Sequence, residues 1–497
     1  MWWQWPHWLP LAVLAPLGFG VTTPAVSNGD VRKAWRWAVA ASVLTTCVTL
    51  ALVVRVAHEG PFSYAFSGWQ PPYGIEFRFD EVGAFAFVVA FLGMLAVVFS
   101  GRYAEHALDP CRVPYYYALL LLDIAGLIGF SVTGDMFNMY VFMEIISLSS
   151  YALVAVSGER IAEMAAFKYL VLGAVSSLLV LFGIGMIYGI TGTLNLADAA
   201  RLLGSVVALT PVAVAIALIV AGFMVKSALF PLHVWLPDAH AIAPSPVSAI
   251  LSGLVVKVGL LGTFRFYQVV YRSGAVDLGS LNQLLVWLGA ISIVMGAFFA
   301  IFQDDIKMML AYSTISNVGY IVMGIGLASQ YAVIGAAVHI FNHAIIKSAL
   351  FLAAGAIIHQ TGYRRLSDLR GVGRGMPLTA AALSVGAVSI VGIPPTAGFL
   401  CKWYIALGAF EAGRPAFGFA LIFGALFIFV YYIRMLNAFY FQEPVHADVV
   451  HAGDPPFSML VPTWILAGLC LAMGLAGKVP LTFIAPAVGR LLGSAGG

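Results

Sequence analysis

Charge is what this sequence has least of. Only 9% of its 497 residues are Asp, Glu, Lys or Arg, against about 25% in an ordinary soluble domain. What remains cannot cover a water-facing surface, so a soluble enzyme, a nucleic-acid binder and a disordered chain are excluded. Cysteine is scarce too: Cys47, Cys111, Cys401 and Cys470 lie far apart. No pair has CxxC or metal-ligand spacing, and they read as small core residues. No basic cluster precedes the first apolar stretch, so no cleavable signal is expected. Trp2, Trp3, Trp5 and Trp8 read instead as an interfacial aromatic belt. A nucleophile constellation, a phosphate loop, a haem motif and iron–sulfur spacing are also missing, so the chain is not expected to be a catalytic subunit.

What is present is apolar: 61% of the residues are hydrophobic and the mean hydropathy is +0.96. A helix crossing the hydrocarbon needs about 20 apolar residues. Apolar runs fall near 8–24, 34–56, 82–100, 113–132, 135–157, 163–190, 208–231, 246–271, 282–302, 307–327, 331–359, 377–411, 415–441 and 456–490. They predict an all-α membrane protein of about fourteen transmembrane helices in a single domain, 1–497. The sizeable polar loop near 57–81 holds Pro61, Pro71 and Pro72 and predicts no strong element. A net charge of +3 is too small to imply a polyanionic partner.

The distribution of basic residues says more. Alternate loops carry Arg32, Lys33 and Arg36; Arg102 and Arg112; Arg160; Lys307; and Arg364, Arg365, Arg370 and Arg374. The opposite set carries about half as many, chiefly Arg78, Arg201, Arg272, Arg414 and Arg490. The excess of basic residues on cytoplasmic loops then puts both termini outside. A weak internal repeat pairs Lys168 with Lys347 and Lys226 with Lys402. Five intervening helices is an odd number, so the copies would be inverted across the membrane, as in transporters.

Of eight lysines, five fall inside apolar runs: Lys168, Lys226, Lys257, Lys347 and Lys402. Each costs roughly 2.5–3.5 kcal/mol at mid-bilayer on insertion scales. Snorkelling to the headgroups accounts for Lys168, close to its loop, but hardly for five at once. A desolvated ammonium gives up its proton more readily than one in water, so the set reads as a proton relay. Glu144, about nine residues into an otherwise uncharged helix, is the acidic candidate; a lysine partner would hold it ionised or let it switch. Asp123 is intramembrane with no suggested partner, and a core polar role is as good a reading. His339, His343 and Lys347 at i, i+4 and i+8 line one helix face, which reads as a wet path. No acid shares that stripe, so a metal site is not expected. Helix breaks are expected beside two lysines, at the prolines after Lys226, leading into His233, and at Pro394-Pro395 before Lys402.

These segments are where the sequence becomes recognisable. Residues 80–440 resemble the antiporter-like proton-translocating membrane subunits of respiratory complex I, membrane-bound hydrogenases and Mrp-type cation/proton antiporters. The resemblance rests on KSALFPLHVWLPDAH at 226–240, APSPVS at 243–248, DDIK at 304–307, YSTISNVGY at 312–320 and GIPP at 392–395. GDMFNMYVFME at 134–144 looks most like the D subunit of Mrp-type antiporters. Lysine at 402 is like that branch and like the N subunit of complex I, whereas the M subunit would be expected to have glutamate. The chain also lacks the extra helices and long lateral helix of the largest homologues. The resemblance implies two inverted five-helix repeats, about 113–271 and 282–441, with the seventh and twelfth helices broken. It makes Glu144 and Lys226 a switchable pair, Lys257 the central lysine, Lys347 with its histidines the link between halves, and Lys402 the terminal proton donor or acceptor. It also implies no cofactor, other membrane subunits as partners, and protons and Na+ as the transported ions, in the cell (inner) membrane. Whether the parent assembly is an antiporter or a redox-driven pump stays open. A solute carrier would need a substrate pocket lined by arginines or carboxylates, and a scaffold would need no buried charge.

Overall fold

The computed structural model describes residues 7–205, 209–274 and 276–492. Six long helices come first: α1 (Trp8–Ser27), α2 (Val31–Glu59), α3 (Phe85–Ala107), α4 (Val113–Val132), α5 (Met136–Val154) and α6 (Arg160–Thr191). Short α7 (Leu196–Leu203) precedes α8 (Leu209–Lys226), which ends at its lysine; α9 (Trp235–Ile242) resumes after an irregular stretch. Then α10 (Ser245–Ile250), a π turn over Leu251–Val255 and α11 (Lys257–Ser273) form one interrupted rod. The second half holds α12 (Gly279–Ile301), α13 (Ile306–Leu327), α14 (Gln330–Thr361), short α15 (Val372–Gly375), α16 (Pro377–Val391), α17 (Ala397–Glu411) and α18 (Pro415–Tyr440). After short α19 (Ala447–His451), the chain ends in α20 (Phe457–Leu475) and α21 (Lys478–Leu492).

Among the described residues, 12 helical stretches are long and apolar enough to cross a membrane, counting α10–α11 as one. The seventh run supplies α8, with α9 resuming beyond the break, the twelfth supplies the broken pair α16/α17, and the last run divides at Gly477 into α20 and α21. Carboxylates and a hydroxyl fix several starts. Asp135 accepts from Asn138 N–H at the head of α5, Asp305 from Lys307 and Met308 at α13, and Ser329 from Ala332 at α14. Each such cap is worth about 1 kcal/mol.

Burial sorts the helices into layers. Over the most apolar 18 residues of each, every residue of the Ser245–Tyr271 span is buried and 94% of those of α14, against 39% in α6 and in α18, which face outward. Helix α14 packs against α10, α13, α16, α17 and α20, so its titratable stripe runs through the centre of the bundle.

Two expectations need correcting. The loop near 57–81 contains an antiparallel hairpin, β1 (Phe62–Ala65) paired with β2 (Glu76–Phe79). Its inward phenylalanines, Phe77 and Phe79, supply the apolar face; Pro71 and Pro72 lie in the connection and Pro61 just before β1, so none is in a strand. Of the four cysteines, only Cys401 and Cys470 are buried; Cys111 lies in a loop and Cys47 on the outward face of α2. Trp2, Trp3 and Trp5 lie outside the described residues.

Candidate functional site

Four of the five lysines singled out are buried, and each ammonium is met by neutral oxygen atoms. Lys226, the last residue of α8, donates to Ser147 Oγ at 2.5 Å and to Tyr151 Oη at 3.2 Å, both on α5. Lys257 opens α11 and turns back to the carbonyl of Ser252, a residue of the π turn. Lys347 on α14 donates to the Leu310 carbonyl at 2.8 Å and to Ser313 Oγ. Lys402 reaches from α17 across the break to the last carbonyls of α16, Ile390 O at 2.6 Å and Val391 O at 3.1 Å. Its ammonium also lies 4.7 Å from the centre of the Tyr320 ring.

The helix breaks make these contacts available. An unbroken α-helix uses its carbonyls internally, and only its last turn leaves them free. That turn is also the negative end of the helix dipole, which favours a cation. Lys402 uses the free end of α16, and Lys226 is itself in the last turn of α8. The α16/α17 crossing is tight: a Cβ on Gly398 would fall 1.8 Å from Ser389 O. Where α11 passes α8, a Cβ on Gly259 would fall 2.0 Å from Phe223 O and 2.3 Å from Ser227 Oγ. The two lysine-bearing helices therefore touch within two residues of Lys226 and Lys257.

Glu144 lies on the same face of α5 as Ser147 and Tyr151, at i, i+3 and i+7. Its charge acts on Lys226, yet no direct ion pair closes among the described residues, and Glu144 Oε1 has no hydrogen-bond partner. The hydroxyls that meet the Lys226 ammonium share the helix face of Glu144. Asp123, fully buried, accepts from Ser149 Oγ at 3.1 Å and Ser150 Oγ at 2.9 Å, so its partners are hydroxyls too.

The two histidines of α14 differ. His339 is held at both nitrogens, with Nε2 3.3 Å from Asn317 Oδ1 and Nδ1 2.9 Å from Cys401 Sγ. Among the described residues, His343 has no partner at either nitrogen. His233, in the α8/α9 break, stacks on Phe230 with ring centres 4.9 Å apart.

Lys168 departs from the buried set. Its side chain is 58% exposed and pairs with Asp238 at 2.7 Å. Like Lys347 it falls inside an apolar run, but it points out of the bundle.

The site also holds groups that sequence reasoning passed over. Lys307, assigned to a loop by its place beside Asp304 and Asp305, is buried and donates to the Ala243 carbonyl at the end of α9. Arg364 reaches the neighbouring Ala241 carbonyl and pairs with Asp305 at 2.9 Å. His240, on α9, is fully buried with no partner at either nitrogen. Arg265, inside α11, forms a bidentate pair with Asp80 at 2.5 and 2.8 Å and donates to Ser131 O. Burial opposes ionisation of Asp80, but the Arg265 charge and hydrogen bonds outweigh it and hold the carboxyl below its usual range. A charge inside an apolar run was the available signal for Arg265.

Known proteins are similar to this chain in sequence and fold. The profile of the family described as NADH:quinone oxidoreductase/Mrp antiporter, TM, matches residues 133–428. The chain is 40% identical over 439 residues to NADH-quinone oxidoreductase subunit N of Desulforudis audaxviator, covering 86% of this chain and 87% of that one. It is 30% identical over 458 residues to the D subunit of a Na(+)/H(+) antiporter of Bacillus subtilis, covering 91% of each. A chain in the structure of the membrane-bound sulfane sulfur reductase, an archaeal respiratory membrane complex, superposes with a TM-score of 0.90 at 31% identity, covering 97% of both. The chain is therefore a multi-pass membrane subunit belonging to the NADH:quinone oxidoreductase/Mrp antiporter family.

Proposed function

We propose that this chain is the proton-translocating subunit of a multi-subunit monovalent cation (Na+)/proton antiporter. The observation that carries the reading is the surroundings of the buried lysines: Lys226, Lys257, Lys347 and Lys402 bind carbonyls and hydroxyls. A carboxylate clamped on an ammonium would hold its proton; neutral acceptors leave both protonation states accessible. Glu144 and Lys226 form the switching pair, with Ser147 and Tyr151 meeting the amine. Lys257, His343, Lys347 and Lys402 carry the charge laterally. His339 positions the stripe, and His240, His233 and Lys307 extend it toward the α9 end. Asp123 belongs to the wall behind Ser150.

Everted vesicles containing the complete complex test this. Addition of Na+ is expected to dissipate a preformed pH gradient, and deletion of this chain should remove the response. A second reading, a proton-pumping subunit of a redox complex, is favoured by the 40% identity to an oxidoreductase N subunit. Acidification driven by a reductant, dependent on this chain and indifferent to Na+, would establish it instead.

The two inverted repeats, 113–271 and 282–441, belong to the same proposal, with both termini on the outer side of the cell (inner) membrane. In a cysteine-free background, cysteines placed between Arg364 and Arg374 should react only from the cytoplasm, and those beside Gly497 only from outside. Reaction of both from one face would undo the inversion.

A further inference from the structure

A cavity of about 330 Å³ opens where α2 begins, α3 ends and α20 begins, lined by Arg32, Trp35, Arg36, Gly101, Arg102, Glu105 and Ser458. It lies far in sequence from the lysine row and is independent of the transport reading. Three guanidiniums face one carboxylate, leaving two positive charges. Glu105 stands between two of the arginines, 3.7 Å from Arg32 and 3.5 Å from Arg102. Arg36 is exposed and has no partner among the described residues. Trp35 forms a fixed wall: its Nε1 donates to Val97 O at 3.1 Å, and its ring lies so close over Gly101 that a Cβ there would sit 2.7 Å away.

Two helix starts at this rim differ. The head of α2 is occupied by Asp30, whose carboxylate accepts from Arg32 and Lys33 N–H. The head of α20 begins at Pro456 and has no side-chain cap. Its first turn lines the cavity through Ser458, and a helix start carries the positive end of the helix dipole. Guanidinium forks and a free helix start are the donors that recognise phosphate oxygens.

The geometry points to a binding site for the phosphate headgroup of an anionic phospholipid. The surface below it favours a lipid over free phosphate. Arg36, Val43, Cys47, Leu50 and Val54 recur at 7, 11, 14 and 18 residues, one face of α2, and all are exposed. An acyl chain can follow that stripe into the membrane while its phosphate sits among the arginines. Basic pockets between transmembrane helices on the cytoplasmic side take such headgroups. A bound lipid would join α2, α3 and α20, and α20 packs directly on α14.

Native mass spectrometry of the purified complex tests the site. Phosphatidylglycerol, phosphatidylcholine or inorganic phosphate would be titrated into the delipidated parent, Arg36→Gln, and Arg36→Gln combined with Arg102→Gln. The parent is expected to retain phosphatidylglycerol in preference to phosphatidylcholine, and free phosphate should not compete with it at millimolar concentration. Affinity should fall about fivefold for each arginine removed. Because Arg36 has no protein partner to lose, the single variant should fold and assemble as the parent does. Equal retention of phosphatidylglycerol by the double variant would overturn the site. Equal binding of both lipids, or displacement by free phosphate, would overturn its assignment to an anionic lipid.

Discussion

Glu144→Ala, introduced into the intact complex, is expected to reduce cation/proton exchange at least tenfold, and Lys226→Ala to do the same, with assembly unchanged. The ammonium of Lys226 is solvated by Ser147 and Tyr151, which share their face of α5 with Glu144. Lys226 is buried and Glu144 half-buried, and removing one partner of a fully buried pair costs about 3–5 kcal/mol. Even half of that, about 1.5–2.5 kcal/mol, is tenfold or more in an equilibrium. Assembly should survive because the hydroxyls stay and the helices keep their contacts. Glu144→Asp should lose less, since the charge remains and only its reach shortens. Exchange rates in everted vesicles at matched protein levels decide the matter. Near-parental rates in Glu144→Ala would remove the pair from the mechanism.

Lys402→Arg is expected to fold, assemble and lose most exchange, while Lys168→Arg keeps it. Both replacements preserve positive charge, and both side chains can snorkel. They differ in what the position needs. At 402 the ammonium sits on Ile390 O and Val391 O inside the bundle. An arginine there stays charged, because a guanidinium does not deprotonate in proteins. At 168 the lysine is exposed and forms an ion pair with Asp238, a role that a permanent charge fills equally well. Direct comparison of the two variants in one vesicle assay separates proton release from fixed charge. Parental exchange by Lys402→Arg would place the end of the relay elsewhere.

The architecture was legible because a membrane writes its demands in one dimension. Each span needs a long apolar run, and each break needs proline or glycine beside it. What the sequence could not convey was direction. Lys168 and Lys347 both fall inside apolar runs, yet one faces outward to Asp238 and the other inward to Ser313. Hydropathy is the same for both orientations, and packing chooses between them. Lys307 was hidden for the opposite reason. Its acidic neighbours mark a loop, but its side chain passes inward to a carbonyl that exists only because α9 ends there. The π turn before Lys257 holds Gly253 but no proline, and a lone glycine inside an apolar run is ordinary in a membrane helix, so the break that frees Ser252 O could not be read from composition. Hydroxyl partners such as Ser147 look like ordinary apolar-helix serines until the amine is placed beside them.

A row of cations without matching anions has a filling limit. Lys257 and Lys402 each act on Lys347 and on His343. Two unit charges 10 Å apart at an effective dielectric of 20 repel by about 1.7 kcal/mol, which weakens binding of the second proton roughly fifteen- to twentyfold. On the relay reading, protons then travel as a sparse queue, with empty places ahead of each one, instead of a filled wire. A proton arriving at one end pushes on those already present, and throughput depends on how quickly the far place empties. A charge that can never leave occupies one place for good and lowers the capacity of every place within its reach.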